Sequence, residues 1–260
     1  MDPVIGSLKL AQVKPSHVEE VMVGMQQKGL SASYRHQAHK AMSHVFKMAI
    51  KDGLITSNPC REVPAPRGTA KTTVVPDRES IRAMVEMAPD ERLRTFIVIA
   101  AHTGLRISEV LSLRWSGVNY DTRSVSVLGK GGKRRAVYVT PTLETQLKLW
   151  KNVQARERLA ATWWSQESDW IITSEIGTQM DAHNWRKQFK PFADAVLPGV
   201  TPHSLRHAFA TVMLEEGVSM RVVADQMGHS STRITEATYS HVTARLQAEA
   251  GAAIERAIGD

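Results

Sequence analysis

A segment rich in proline divides this chain into a short first part and a long second part. Four of the eleven prolines lie between residues 59 and 76, around a polar run. No apolar residue recurs in that segment at the spacing of a helix or a strand, and proline ends both kinds of element. The sequence therefore predicts three parts: a helical domain at 1–65, a linker at 66–76 and a second domain at 77–260.

The first part has the pattern of two helices, Pro15–Gly29 and Ser33–Asp52. In the second of them, apolar residues recur every three or four positions, while Lys40 and Lys47 fall on another face. Such lysines are usually a solvated face, and the segment alone indicates nothing more.

The second part has mixed patterns, with two alternating runs, Ser124–Leu128 and Arg135–Thr140, that predict a β-hairpin. Its turn carries four cations, and Trp170–Ile172 is a candidate third strand. The fold class predicted is mainly α with a small β-sheet: a helical domain followed by a mixed α/β domain. The turn cations are Lys130, Lys133, Arg134 and Arg135, and the predicted helices span 78–88, 90–102, 106–115, 141–161, 181–195, 204–216, 219–227 and 243–258.

Charge and composition narrow the class of protein. Lys and Arg number 33 against 26 Asp and Glu, a formal net charge of +7, which favours a polyanionic partner. The most apolar stretch, Phe96–Ala101, is far shorter than a membrane span, and no signal peptide is apparent at the amino terminus. The single cysteine excludes an internal disulfide, so we expect a protein of a reducing cytoplasm.

Four short segments, taken in order, resemble the active site of the tyrosine recombinases, or phage integrase family. The resemblance covers about residues 78–245, and the helices before it resemble the family's core-type DNA-binding domain. The family's small amino-terminal arm-binding domain has no counterpart here, which implies either a simple integrase or a truncated chain. The four segments are Thr103–Trp115, Gly129–Lys133, His203–Ala210, and Gly228-His229 followed by Tyr239.

The residue types in these segments suit phosphoryl transfer. Phosphodiester cleavage passes through a group with excess negative charge, so fixed cations around it do much of the catalytic work. Arg106 and Arg206 suit this role, because a guanidinium grips two phosphate oxygens and keeps its proton. The resemblance implies that they are the family's two catalytic arginines.

Tyr239 is the expected nucleophile by the same resemblance. It follows His229 by ten residues, one more than the family usually has. A phenol is mostly protonated at neutral pH, so it needs cationic neighbours or a base to attack. Lys130 resembles the general acid that protonates the departing 5′ oxygen, and Lys133 is its rival.

The remaining site residues are implied in supporting roles. His203 and His229 would donate hydrogen bonds to the phosphate or move protons, and Glu109 would orient the site. Lys40 and Lys47 are candidates for DNA contacts in the first domain, together with Lys133, Arg134 and Arg135 in the hairpin.

A zinc site is the competing interpretation of His203 and His207, which have helical i,i+4 spacing. Ser204 stands where the zinc proteases have glutamate, and no third ligand follows. We therefore predict no metal, with His207 packing or hydrogen-bonding within its helix. The glycine-rich turn lacks the Gly-Lys-Ser/Thr ending of a nucleotide-binding loop, so no cofactor is expected.

The resemblance implies an integrase that cleaves and rejoins DNA through a covalent 3′-phosphotyrosine, integrating or excising phage or mobile-element DNA. Its partners would be duplex DNA with an inverted-repeat core site, three further copies in a homotetramer formed from monomers, and an accessory bending or directionality factor. The helix at 243–258 would dock on a neighbouring copy or on its own domain. The alternatives are a type IB topoisomerase and a non-catalytic DNA-binding regulator.

Overall fold

The computed structural model describes residues 4–67 and 74–228, together with Tyr239 and Arg256. The chain forms two compact units, Met1–Thr72 and Thr73–Asp260. The helix predicted at 243–258 therefore lies outside the described residues except at Arg256.

The first unit contains two helices, α1 (Pro15–Gln27) and α2 (Ala32–Lys51), between 3₁₀ turns at Leu10–Gln12 and Pro59–Arg61. Each helix begins at a favourable residue. Proline occupies the first position of α1, where its missing N–H costs no hydrogen bond, and the Ser31 hydroxyl accepts from the Tyr34 backbone N–H before α2. Val18, Phe46 and Cys60 are buried together as its small core.

The second unit is mainly helical around one central helix, α4. Its apolar residues are buried on all sides, and α4 packs against α3, α6 and α8. The prediction of a mainly α chain with a small β-sheet is confirmed. The elements are α3 (Arg78–Glu86), α4 (Glu91–Thr103), α5 (Ile107–Val110), β1 (Val118–Asn119), β2 (Ser124–Leu128), β3 (Arg134–Tyr138), α6 (Pro141–Ala160), α7 (Ala182–Val196), α8 (Pro202–Glu215) and α9 (Met220–Met227).

The three strands form one antiparallel sheet in the order β1–β2–β3. Ser124 pairs with Tyr138 and Leu128 with Arg134, so the predicted hairpin is confirmed. Gly131 and Gly132 in its turn have positive φ of 78°, a conformation that glycine adopts without strain. The alternation of the strands buries Val127 and Val137 against the core.

Two sequence predictions are wrong in this region, and they have one cause. The helix predicted at 106–115 ends at Val110, and Trp170–Ile172 is not the third strand. The chain after α5 bonds to the segment at 169–171 instead of continuing as a helix: Ile171 N–H donates to Leu113 O at 2.9 Å, and Trp115 N–H donates to Asp169 O at 2.8 Å. This pairing yields a single bridge between Arg114 and Trp170 and buries Ile171 without a ladder.

In the described part of the chain, no helix has the length and apolar character that crossing a membrane requires.

Candidate active site

The two arginines reach one site because α4 ends sharply beside α8. Gly104 ends α4 with a positive φ of 62°, and Arg106 then stands at the N-cap of α5. A Cβ at position 104 would overlap the ring of Phe209 on α8, so glycine is needed for both the backbone conformation and the close approach. This approach brings Arg206 of α8 next to the turn, where its Nη1 donates to Gly104 O at 2.6 Å.

Glu109 is the buried anion around which three arginines assemble. Its carboxylate is 3.3 Å from Arg106 Nη1, 3.0 and 3.1 Å from the two terminal nitrogens of Arg135, and 4.0 Å from Arg206 Nη1. Burial alone would raise the pKa of Glu109, but hydrogen bonds from Arg135 and from the Arg106 backbone N–H, with the charges of both arginines, hold it below its usual value. The ionised carboxylate offsets the repulsion among the guanidinium groups.

Arg206 is the most buried of these cations, with 1% of its surface exposed. Burial and the charge of Arg106 lower its pKa to about 10, so it remains protonated at neutral pH. Its Nη2 has no hydrogen-bond partner among the described residues, although it is buried. A buried, unpaired N–H of a cation is a donor held ready for an anion.

Arg106 is more accessible, with 40% of its side chain exposed, and it also donates to the carbonyls of Met227 and Gly228 at 3.4 Å. It lines a cavity of about 590 Å³ together with His203 of α8 and Lys190 of α7. The cavity therefore presents cations and a histidine at its wall.

The two histidines of α8 lie one helical turn apart and touch. The ring centroids of His203 and His207 are 4.5 Å apart in an edge-to-face arrangement. Burial lowers the pKa of both, helped by nearby arginines, and the pKa of His207 falls to about 4. Both rings are therefore mainly neutral at pH 7.

Tyr239 is buried, with 2% of its surface exposed. Its hydroxyl lies 2.8 Å from His207 Nδ1. Burial raises its pKa to about 12, and the charge of Arg206 partly opposes the shift. The phenol packs in an apolar cluster formed by α8 and α9, with Phe209, Ala210, Leu214, Val223 and Met227.

The structure brings together six of the residues that the sequence singled out: Arg106, Glu109, Arg135, His203, Arg206 and Tyr239. His229 and the extra residue before Tyr239 lie outside the described residues. Lys130 begins the 3₁₀ turn of the hairpin. The other predicted DNA contacts Lys133 and Arg134 are exposed beside that turn, and Lys40 and Lys47 are exposed on α2 of the first unit.

Arg135 and His207 have contacts that the sequence interpretation did not give them. Arg135 was expected to contact DNA, but only 18% of its side chain is exposed and its guanidinium binds Glu109 and the carbonyls of Gln226 and Met227. The sequence could have predicted that Arg135 points inward, because alternation along β3 places position 135 on the buried face with Val137. His207 bonds to Tyr239 rather than within its own helix.

Among the described residues, no group of three or more His, Cys, Asp or Glu side chains is arranged to hold a metal ion. His203 and His207 contact each other through their rings. His207 Nδ1 is hydrogen-bonded to the Tyr239 hydroxyl.

Several known proteins are similar to this chain over most of its length. A tyrosine recombinase XerC-like protein of Caldanaerobacter subterraneus is 26% identical, covering 94% of this chain and 71% of the relative. Tyrosine recombinase XerC of Xanthomonas campestris is 27% identical, covering 91% of this chain and 72% of the relative.

Solved structures share the fold at lower identity. The Tn1549 transposon integrase in complex with a circular intermediate DNA superposes with a TM-score of 0.78 at 21% identity, covering 96% of this chain and 88% of that one. XerH bound to a palindromic difH substrate gives a TM-score of 0.73 at 18% identity, covering 93% and 73%.

The sequence profile of the phage integrase family matches residues 77–245, which is well over half of the chain. This match confirms the family and the enzyme class that were predicted from the four motifs. The chain belongs to the phage integrase family of tyrosine recombinases, enzymes that cleave and rejoin DNA.

Proposed function

We propose that this chain is a site-specific DNA recombinase that breaks and rejoins strands through a covalent 3′-phosphotyrosine at Tyr239. The observation that supports the proposal most directly is the assembly of Arg106 and Arg206 around the buried carboxylate of Glu109, with His203 beside Arg106 on the cavity wall and Tyr239 close enough to affect the pKa of Arg206. Fixed cations beside a hydroxyl nucleophile are what phosphoryl transfer requires.

Arg106 and Arg206 bind the scissile phosphate in this mechanism. Arg206 Nη2 supplies a buried donor, and a hydrogen bond from a charged donor is roughly twice as strong as a neutral one. Arg106 approaches from the accessible side, and His203 adds a donor or acceptor at the same wall. Because Glu109 already holds the two guanidinium groups, little reorganisation is needed when negative charge develops.

The covalent step exchanges one phosphoester bond for another. Tyr239 Oη gives up its proton to a base and forms a bond to phosphorus, and the bond from phosphorus to the 5′ oxygen breaks. That oxygen takes a proton from Lys130 or Lys133 of the hairpin turn, and His229 completes the set by family resemblance. Since the phosphotyrosine retains the energy of the broken ester, attack by a 5′ hydroxyl rejoins the strand without a high-energy cofactor.

Duplex DNA is the proposed partner. The chain carries a formal net charge of +7, and exposed cations occur in both units, Lys40 and Lys47 in the first and Lys133 and Arg134 in the second. Binding that rests on such contacts weakens steeply as salt rises.

The domain assignment supports the same function. The two compact units divide between Thr72 and Thr73, within the linker proposed at 66–76. We assign core-site binding to the domain at 1–65 and catalysis to the domain at 77–260. By likeness to XerH on its palindromic substrate, the target is an inverted-repeat site. Four copies would exchange strands on two such sites in the bacterial cytoplasm, moving phage or mobile-element DNA, with an accessory factor setting direction.

A covalent-trapping assay tests the proposal. Nicked duplexes tiling the DNA on both sides of the gene are incubated with the protein and resolved on a denaturing gel. A nick beside the cleavage position lets the short 5′-hydroxyl fragment diffuse away, so the adduct accumulates. We expect a protein–DNA band on at least one duplex, lost in Tyr239→Phe and retained in Tyr138→Phe, a matched change at an exposed tyrosine.

The outcomes separate the alternatives. A band that persists in Tyr239→Phe would overturn the assignment of the nucleophile. DNA binding without any band would favour a non-catalytic regulator, and relaxation of unrelated supercoiled plasmids at equal rates would favour a topoisomerase.

A further inference from the structure

His207 contacts the hydroxyl group of Tyr239 directly. His207 Nδ1 and Tyr239 Oη are 2.8 Å apart, and the ring centroids are 5.7 Å apart. His207 is not among the residues that the motifs assigned to catalysis, since His203 holds the histidine position of that motif. It nevertheless touches the atom that would form the new bond.

The direction of this hydrogen bond follows from the protonation states. Burial, His203 and Arg206 lower the pKa of His207 to about 4, and burial raises that of Tyr239 to about 12. At neutral pH the imidazole is uncharged and the phenol keeps its proton. The phenol therefore donates to Nδ1, and the ring proton of His207 resides on Nε2.

The surroundings of His207 set how readily it takes up a further proton. On its own helix, His203 and Arg206 oppose a positive charge. From the start of α3, three charged side chains line the same cavity of about 770 Å³ as His207 and Tyr239; they are Asp77, Arg78 and Glu79. A phosphodiester entering beside Arg206 adds negative charge and raises the proton affinity of the imidazole.

We infer that His207 is a further catalytic residue, which accepts the proton of Tyr239 during cleavage. This inference rests on the proposed role of Tyr239 as nucleophile. As Oη bonds to phosphorus, its proton moves to His207 Nδ1, the bond from phosphorus to the 5′ oxygen breaks, and the departing oxygen takes a separate proton from the hairpin lysine. On rejoining, the 5′ hydroxyl attacks, and His207 returns its proton to the leaving phenol oxygen.

Two physical reasons favour this role over simple packing. An attacking phenol that kept no acceptor would have to become a phenolate inside the apolar cluster, and burial penalises that charge. A neutral imidazole already at hydrogen-bond distance takes the proton within the transition state, an arrangement that contributes roughly 10²–10⁴-fold to a rate.

The test measures the rate of covalent adduct formation on the nicked duplex that the wild-type protein links. We expect His207→Ala to lower that rate by about 10²-fold with unchanged DNA binding, and added imidazole to restore it. His207→Asn retains an acceptor near the position of Nδ1 but no base, so we expect it to stay slow. His183→Ala, at an exposed histidine of α7, is the matched control.

A second substrate separates this role from that of the general acid. A nicked duplex with sulfur in place of the bridging 5′ oxygen has a leaving group that needs no proton. It should restore cleavage to variants of the hairpin lysines but not to His207→Ala.

Each outcome bears on the inference. Wild-type rates in His207→Ala or His207→Asn would overturn it, as would a slow His207→Ala that imidazole does not accelerate. An absence of adduct with the wild-type protein would instead overturn the proposed function, and this inference with it.

Discussion

The arginine cluster and the tyrosine pocket lie next to each other, yet burial has opposite consequences in them. In the cluster, Glu109 is 5% exposed and stays ionised because three guanidinium groups surround it. In the pocket, Tyr239 is 2% exposed and stays protonated because its neighbours are mostly apolar. The comparison teaches that the arginine cluster is already charged in the free protein, whereas the phenol proposed as nucleophile would become reactive only when its proton is removed.

One helix carries both halves. Arg206 and His207 are consecutive on α8, and they point about 100° apart around its axis, one toward Glu109 and the other toward Tyr239. The position of α8 against α4 therefore sets the two halves relative to each other.

Removing the negative charge of Glu109 should disrupt the arginine cluster, and we expect it to have the largest effect on stability. Glu109→Gln keeps the shape of the side chain but leaves the buried Arg206 and Arg135 without their carboxylate. Breaking a buried ion pair in this way costs about 3–5 kcal/mol, so we expect a loss of that size in the free energy of unfolding, measured with urea. Glu86→Gln, at an exposed position of α3, should change it by less than about 0.5 kcal/mol.

The pH dependence of this difference gives a second check. Because the folded-state pKa of Glu109 is depressed, its contribution is fully present above its unfolded-state pKa and disappears as pH falls through the folded value. The free energies of unfolding of the wild type and of Glu109→Gln should therefore converge as the pH falls. A difference in the free energy of unfolding that stays constant down to acid pH would contradict an ionised Glu109 carboxylate.

A methyl group between α4 and α8 should disturb both halves together. Gly104→Ala imposes a Cβ on a left-handed residue and pushes it into Phe209, which costs about 1–3 kcal/mol from overpacking and about 1–2 kcal/mol from the backbone. We expect destabilisation together with a loss of covalent adduct formation.

The control is Gly24→Ala inside α1, where nothing lies within 4 Å of the added Cβ. It should stabilise the first unit by about 0.5–1 kcal/mol. A Gly104→Ala protein with unchanged stability and adduct formation would show that the close approach of α8 does not position the site.

The pKa of Tyr239 tests the apolar character of its pocket, and the expected effect on stability is smaller. We expect a difference titration between wild type and Tyr239→Phe, read from tyrosinate absorbance, to show one phenol titrating at about 12, against about 10 for a free tyrosine. Because the folded state favours the protonated phenol, this group should destabilise the wild type as pH rises above 10, and the variant should lack that dependence. Titration near 10 would mean that the pocket is solvated.

The sequence predicted the elements with strong periodicity and the residues with family motifs. The hairpin followed from alternation at 124–128, and the order of the motifs predicted Arg106, Arg206 and Tyr239 as site residues. It failed where long-range pairing overrides local pattern. The run at 106–115 has helical spacing, but hydrogen bonds to Asp169 and from Ile171 end the helix early, and no local signal marks such partners.

The supporting contacts were harder to predict because their partners are distant in sequence. Arg135 and Glu109 are 26 residues apart, and His207 and Tyr239 are 32 residues apart. Alternation along β3 shows only that Arg135 faces inward, and helical spacing shows only that His207 shares a face with His203. Their partners depend on how α8, α9 and the hairpin pack.

The most direct test of the central claim is to identify the residue that becomes attached to DNA. The trapped adduct is digested with trypsin and nuclease, and the modified peptide is sequenced by mass spectrometry. Cleavage after Arg233 and Arg245 yields the peptide 234–245, in which Tyr239 is the single tyrosine. The account predicts a nucleotide joined to Tyr239 through its 3′ phosphate, whereas a nucleotide on any other residue would contradict it.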